Sequence, residues 1–124
     1  VRALADSGDL SQAAEACRAA LGAWPEAAVL HYYQGLISRA RGETTTAAGA
    51  LRRAVYLQPD FLMAQYHLAL ARLEQGEAAA SRRSLAALAR QAAQLSPTTR
   101  LCEGEGMTAA DLRELARLQL EAEG

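Results

Sequence analysis

Apolar residues recur along this chain at helical intervals, in blocks punctuated by glycine and proline. The first block puts Leu10, Ala13, Ala14, Cys17, Ala20 and Leu21 on one stripe, predicting a helix from Leu10 to Leu21. Pro25 ends that element and can open the next at its first turn. A second helix is predicted from Pro25 to Ala40, with Leu30, Tyr33 and Ile37 on one stripe and Tyr32 and Leu36 beside it. Gly42 is a natural stop, and Thr44, Thr45 and Thr46 supply hydroxyls suited to capping the start of a third helix. That helix carries Ala47, Ala50, Leu51, Ala54, Val55 and Leu57 up to Pro59. A fourth spans Asp60 to Gln75, broken by Gly76, and a fifth spans Ala78 to Leu95. Pro97, Thr98, Thr99, Gly104 and Gly106 then mark a loop. Thr108 to Asp111 reads T-x-x-D, a capping-box variant, ahead of a last helix from Ala109 to Ala122.

The blocks repeat. Gly8, Gly42 and Gly76 lie 34 residues apart, each followed by an acidic residue. Pro25 and Pro59 share the spacing, as do Ala20 and Ala54, and Ala13 and Ala47. A fixed period of this length is the signature of a helical repeat array. After Pro59 the period places Ala93, not a proline, so the fifth helix is free to run on by an extra turn. Ahead of Gly8 there are only seven residues, and the chain opens at Val1 without a methionine. The expectation is a fragment of a longer protein, cut inside its first helix pair.

Composition narrows the function. The formal net charge is −1, which argues against nucleic acid as the main partner. All 13 basic residues are arginine. Aromatics are 5% of the chain, so Leu and Ala must pack the core. No apolar run is long enough to span a membrane. Cys17 and Cys102 fit a reducing, cytoplasmic setting, and are expected to be small buried or half-buried residues. His31 and His67 have no carboxylate or cysteine at ligand spacing and read as structural; no metal site is expected. The pairs Arg52-Arg53 and Arg82-Arg83 read as solvated outer faces. No motif joins serine, histidine and aspartate into a catalytic set.

Paired helices with this period, a glycine before the second helix and a proline at its end, resemble the tetratricopeptide repeat. Gly35, Gly42, Ala47, Ala54 and Pro59 meet the pattern in the second repeat, and Leu68, Ala69 and Gly76 in the third, where Ser81 replaces the usual alanine. In the first repeat Gly8, Ala13, Ala20 and Pro25 match. His31 and Ser38, and Gln65 and Arg72, stand where the pattern has tryptophan and tyrosine; the aromatic weight sits one or two residues later, at Tyr32, Tyr33 and Tyr66. The resemblance implies an all-α fold, a tetratricopeptide-repeat solenoid of antiparallel helix pairs with a C-terminal capping helix. The array would cover residues 1–94, a loop 95–107 and the last helix 108–123.

A narrower resemblance rests on two stretches. Leu51-Arg52-Arg53-Ala54-Val55-Tyr56-Leu57-Gln58-Pro59-Asp60-Phe61, followed by Ala64-Gln65-Tyr66-His67-Leu68, is similar to the repeat domain that follows the catalytic domain of some CheR-type chemoreceptor methyltransferases. The tail from Cys102 to Leu112 is similar to the end of that group, where a Gly-Glu-Gly-Leu/Met-Thr segment precedes a final helix. This implies a parent that moves a methyl group from S-adenosylmethionine to glutamate side chains of a chemoreceptor, in chemotaxis-like signalling. The cofactor would belong to a preceding catalytic domain, because this chain holds no Gly-rich strand-to-helix turn. The fragment itself is expected to be no enzyme and to bind no cofactor.

Carried over from the tetratricopeptide pattern, the partner-binding groove would show Val29, Tyr32, Leu36 and Arg39 from one repeat and Met63, Tyr66, Leu70 and Leu73 from the next. Tyr and Met are enriched at binding surfaces, and Arg39 can pair with an acidic group. The family's clamp for a peptide carboxylate uses Lys and Asn where this chain has Tyr32 and Leu36, so that clamp is absent. The groove is expected to take an apolar or amphipathic helical segment of a protein partner: a chemoreceptor, another signalling protein or the adjoining methyltransferase domain. The rival expectations are a homodimerisation module, pairing through an apolar edge, and a generic repeat scaffold of an unrelated protein.

Overall fold

In the computed structural model, residues Ser7 to Glu123 are described. Among them the chain forms six helices and no strand beyond an isolated bridge between Arg100 and Thr108. They fall into two units, one ending at Asp60 and the other beginning at Phe61.

The first unit holds α1 (Ser7–Ala23), α2 (Ala28–Ala40) and α3 (Thr44–Leu57). Helix α2 packs against both neighbours. Cys17, on α1, is buried and its thiol donates to the Leu30 carbonyl of α2 at 3.2 Å. That desolvation pushes the Cys17 thiol pKa up. Between α2 and α3 the backbones approach closely at Gly35, where an added Cβ would lie 2.6 Å from Leu51 Cγ. Ile37, Ala47, Leu51 and Ala54 are fully or almost fully buried, as a Leu/Ala core demands.

The second unit holds α4 (Leu62–Glu74), α5 (Ala78–Ala93) and α6 (Ala109–Glu123). Gln65, at the start of α4, donates to Gln91 near the end of α5, and Arg72, near the end of α4, donates to Ser84 near the start of α5. The two helices are therefore antiparallel. Helix α6 also packs against α5, and Leu112 and Ala116 of α6 and Leu85, Leu88 and Ala92 of α5 are wholly buried. An isolated helix of this length is marginal in water, so docking on α5 is what holds it.

The period has a backbone cause. At Arg41-Gly42-Glu43 the Glu43 amide donates to the Ser38 carbonyl and the Gly42 amide to Arg39, at 2.8 and 3.0 Å. At Gln75-Gly76-Glu77 the same two bonds join Glu77 to Arg72 and Gly76 to Leu73, at 2.9 and 3.0 Å. This is the Schellman termination, and it needs a left-handed residue after the last helical turn. Gly42 and Gly76 supply it, with φ of +80° and +82°. Gly8 does not share the role: it lies inside the first turn of α1. Any helix it would terminate falls on residues 1–6, outside the described ones.

Several boundaries differ from expectation. Pro25 is not the first residue of α2 but part of a turn closed by the Ala27 amide on the Trp24 carbonyl, 3.2 Å. The three threonines do not cap α3: Glu43 holds the N-cap position, no side chain caps it, and Thr44 is already helical. Helix α5 outruns α3 by two residues, about half a turn, because no proline stops it. Cys102 is exposed rather than buried.

The loop before α6 is closed on itself. The Leu101 amide donates to Met107, and the Ala109 amide to Thr99, at 3.0 and 2.9 Å. Gly104 sits 3.0 Å, measured from an added Cβ, from Leu101 Cβ, and Gly106 has φ +93°. The Gly-Glu-Gly segment thus has a packing reason: one glycine admits a close approach and the other a left-handed turn. The expected capping box is present, with the Thr108 amide on Asp111 Oδ2 at 3.0 Å and the Asp111 amide on Thr108 Oγ1 at 3.2 Å. Ser81, the odd residue of the third repeat, is wholly buried on α5, and its hydroxyl faces Glu123 Oε2 of α6 at 3.4 Å.

Candidate functional site

Each unit presents one helix face that the sequence singled out. On α2, Val29, Tyr32, Leu36 and Arg39 follow one another at helical spacing; on α4, Met63, Tyr66, Leu70 and Leu73 do the same. The two sets are not equally accessible along their length. Tyr32 is 3% exposed and Met63 6%, so both spend their side chains on packing. Val29, Leu36, Arg39, Tyr66, Leu70 and Leu73 are half-buried. On α2 the rings of Tyr32 and Tyr33 lie 5.8 Å apart, and on α4 Tyr66 meets His67 edge-on at 5.6 Å.

His31 Nε2 donates to the Pro25 carbonyl at 2.8 Å, tying α2 to the preceding turn. No group of three or more potential metal ligands assembles among the described residues. No described helix is long and apolar enough to cross a membrane. Arg52, Arg53, Arg82 and Arg83 are exposed, and Arg53 lies over the ring of Tyr56 at 5.5 Å.

A second surface escaped the sequence reading. Helices α5 and α6 leave an open cleft of about 500 Å³ bordered by Arg90, Arg113, Arg117 and Glu114. Arg117 is held by two carboxylates of its own helix: its Nε donates to Glu114 at 3.1 Å, and its other nitrogens pair with Glu114 and Glu121. The hydrogen bond from Arg117 lowers the pKa of Glu114, and the two carboxylates raise that of Arg117. The recurrence of arginine at positions 113 and 117, one helical turn apart, was the available signal; Arg90 joins them only through the docking of α6.

No family model matches the chain. Over 80 residues it is 36% identical to the probable biofilm formation methyltransferase WspC of Pseudomonas putida, and equally to that of Pseudomonas aeruginosa. The match takes in 64% of this chain but 19% of each relative, so the chain spans about a fifth of the length of the curated relatives it matches. Among solved structures it is similar to the type III secretion translocator chaperone SycD of Yersinia enterocolitica, with a TM-score of 0.68 at 17% identity, over 93% of this chain and 77% of that one. The fold is thus all-α and of the tetratricopeptide-like helical kind.

Proposed function

We propose that this chain is a protein-interaction module, and that in its parent it accompanies a CheR-type, S-adenosylmethionine-dependent protein-glutamate O-methyltransferase domain of chemotaxis-like signalling in the cytoplasm. The observation that carries this is the 36% match to methyltransferases of which the matched segment is only 19%. A helical-repeat fold offers surface for a partner rather than a reaction centre, which supports assigning the chemistry to another domain. The partner surface is the half-buried part of the two helix faces: Val29, Leu36 and Arg39 on α2, and Tyr66, Leu70 and Leu73 on α4. Each presents apolar side chains at the spacing that receives an amphipathic helix. A chemoreceptor, a signalling protein or the methyltransferase domain itself is the partner class.

The test is a selection of amphipathic helical peptides on the 124-residue chain, followed by titration against variants. Tyr32 is a poor target, because truncating a buried aromatic costs about 3–5 kcal/mol of fold stability. Leu36→Ala and Tyr66→Ala are better, since both side chains keep exposed surface. Each should weaken, about tenfold or more, those selected peptides that occupy its own helix face. Peptides that bind both variants as well as the wild type would remove these faces from the proposal. Calorimetric binding of S-adenosylmethionine by the chain alone would overturn the division of labour.

A further inference from the structure

The cleft between α5 and α6 has a chemistry of its own. Its lining combines the methyl side chains of Ala89 and Ala93 from α5 and Ala110 from α6 with the side chains of Arg90, Arg113, Arg117 and Glu114. Of the three arginines, Arg117 is already paired with both Glu114 and Glu121, one positive group against two negative ones. Arg90 and Arg113 are exposed and have no hydrogen-bond or ion-pair partner among the described residues. In a chain of net charge −1, these three arginines and two glutamates still leave the surround of the recess at +1, with Arg90 on α5 and Arg113 on α6 as its unpaired groups.

We propose that this cleft docks an acidic stretch of a partner polypeptide, whose side-chain carboxylates are taken by Arg90 and Arg113. The proposal rests on the reading of the chain as an interaction module and names a second, charged subsite for it. The planar fork of a guanidinium matches a carboxylate through two parallel hydrogen bonds, and Arg117 already uses that mode on Glu114. The three alanine methyls of the lining offer apolar contact to the aliphatic stem of a Glu side chain. At about 500 Å³ the recess has room for more than one side chain. Nucleic acid fits less well: the chain lacks the basic balance that phosphate tracking needs, and no aromatic ring lines the cleft for base stacking.

The experiment titrates a short fluorescein-labelled Glu/Ala peptide into the 124-residue chain at low ionic strength and again at raised salt, with a Gln/Ala peptide, inorganic phosphate and duplex DNA as comparisons. Binding of the acidic peptide, weakened by salt, is expected. Arg90→Ala and Arg113→Ala should each weaken it about tenfold, while Arg52→Ala and Arg53→Ala leave it unchanged. All four positions are exposed, and circular dichroism checks that the helices persist. No binding, equal affinity for the Gln/Ala peptide, tighter binding of phosphate or DNA, or indifference to the loss of both cleft arginines overturns the proposal. If selected helical peptides still depend on Leu36 or Tyr66 while the acidic peptide fails, the cleft falls and the module stands. If the acidic peptide binds through Arg90 and Arg113 while those helical peptides depend on neither Leu36 nor Tyr66, the cleft stands and the helix faces fall.

Discussion

Replacing Gly35 by alanine should destabilise the first unit, although the residue is in the middle of a helix. Intrinsic propensity alone favours the change by about 1 kcal/mol, because glycine carries the larger entropy cost in a helix. Packing opposes it. The new methyl would lie 2.6 Å from Leu51 Cγ and 2.8 Å from Leu51 Cδ2, and 3.4 Å from the Ala47 carbonyl. Leu51 is fully buried and its Cγ is not a free end that can swing aside, so α2 and α3 must move apart. Overpacking of this kind costs roughly 1–3 kcal/mol. The net expectation is a loss of about 1 kcal/mol. Gly49, in the interior of α3, is the internal control: nothing lies within 4 Å of its added Cβ. Gly49→Ala should stabilise by about 0.5–1 kcal/mol, leaving the two variants about 2 kcal/mol apart with opposite signs. Urea unfolding followed by far-UV circular dichroism reads both, and an unchanged m-value keeps the comparison valid. Leu51→Ala, expected to cost about 2–5 kcal/mol alone, should cost less on top of Gly35→Ala, since the strained pair is then relieved. A Gly35→Ala protein at least as stable as the wild type would refute the close approach of α2 and α3.

Other consequences follow from the same geometry. Gly42→Ala and Gly76→Ala each force a left-handed alanine and should cost about 1–2 kcal/mol, with near-additive losses in the double variant because the sites lie in different units; equilibrium unfolding measures this. Thr108→Ala removes one half of the capping box and should cost about 1 kcal/mol, seen as faster amide exchange in the first turn of α6. Thiol labelling near neutral pH should show one fast cysteine, Cys102, and one slow, Cys17, whose pKa is raised by burial; the slow one should accelerate only in denaturant.

What the chain announced about itself and what it concealed divide along physical lines. The glycine period was legible because the Schellman turn at Gly42 and Gly76 tolerates few other residues. The T-x-x-D box was legible because both partners lie within one turn. Residues answerable to distant neighbours were harder. Tyr32 and Leu36 share helical spacing, yet one is buried and the other half-exposed, and spacing alone does not tell which neighbour covers which residue. Ser81 departed from the repeat pattern with no local cause; the partner its hydroxyl meets is Glu123, 42 residues on. The arginine cleft depends on α6 reaching the end of α5, so only Arg113 and Arg117 hinted at it. The threonines misled because three hydroxyls in a row looked like a cap, while the N-cap position belonged to the preceding Glu43.

On the function proposed above, a protein partner is recognised through the half-buried residues of the α2 face or the α4 face, and methyl transfer is left to another domain. Titration of a selected amphipathic helical peptide into the wild-type chain and into the Leu36→Ala/Tyr66→Ala variant tests it most directly, with circular dichroism confirming that both are folded. A saturable complex with the wild type and a loss of about tenfold or more in affinity for the variant, whichever of the two faces the peptide occupies, is the expected result. Equal affinity for both folded proteins would contradict it.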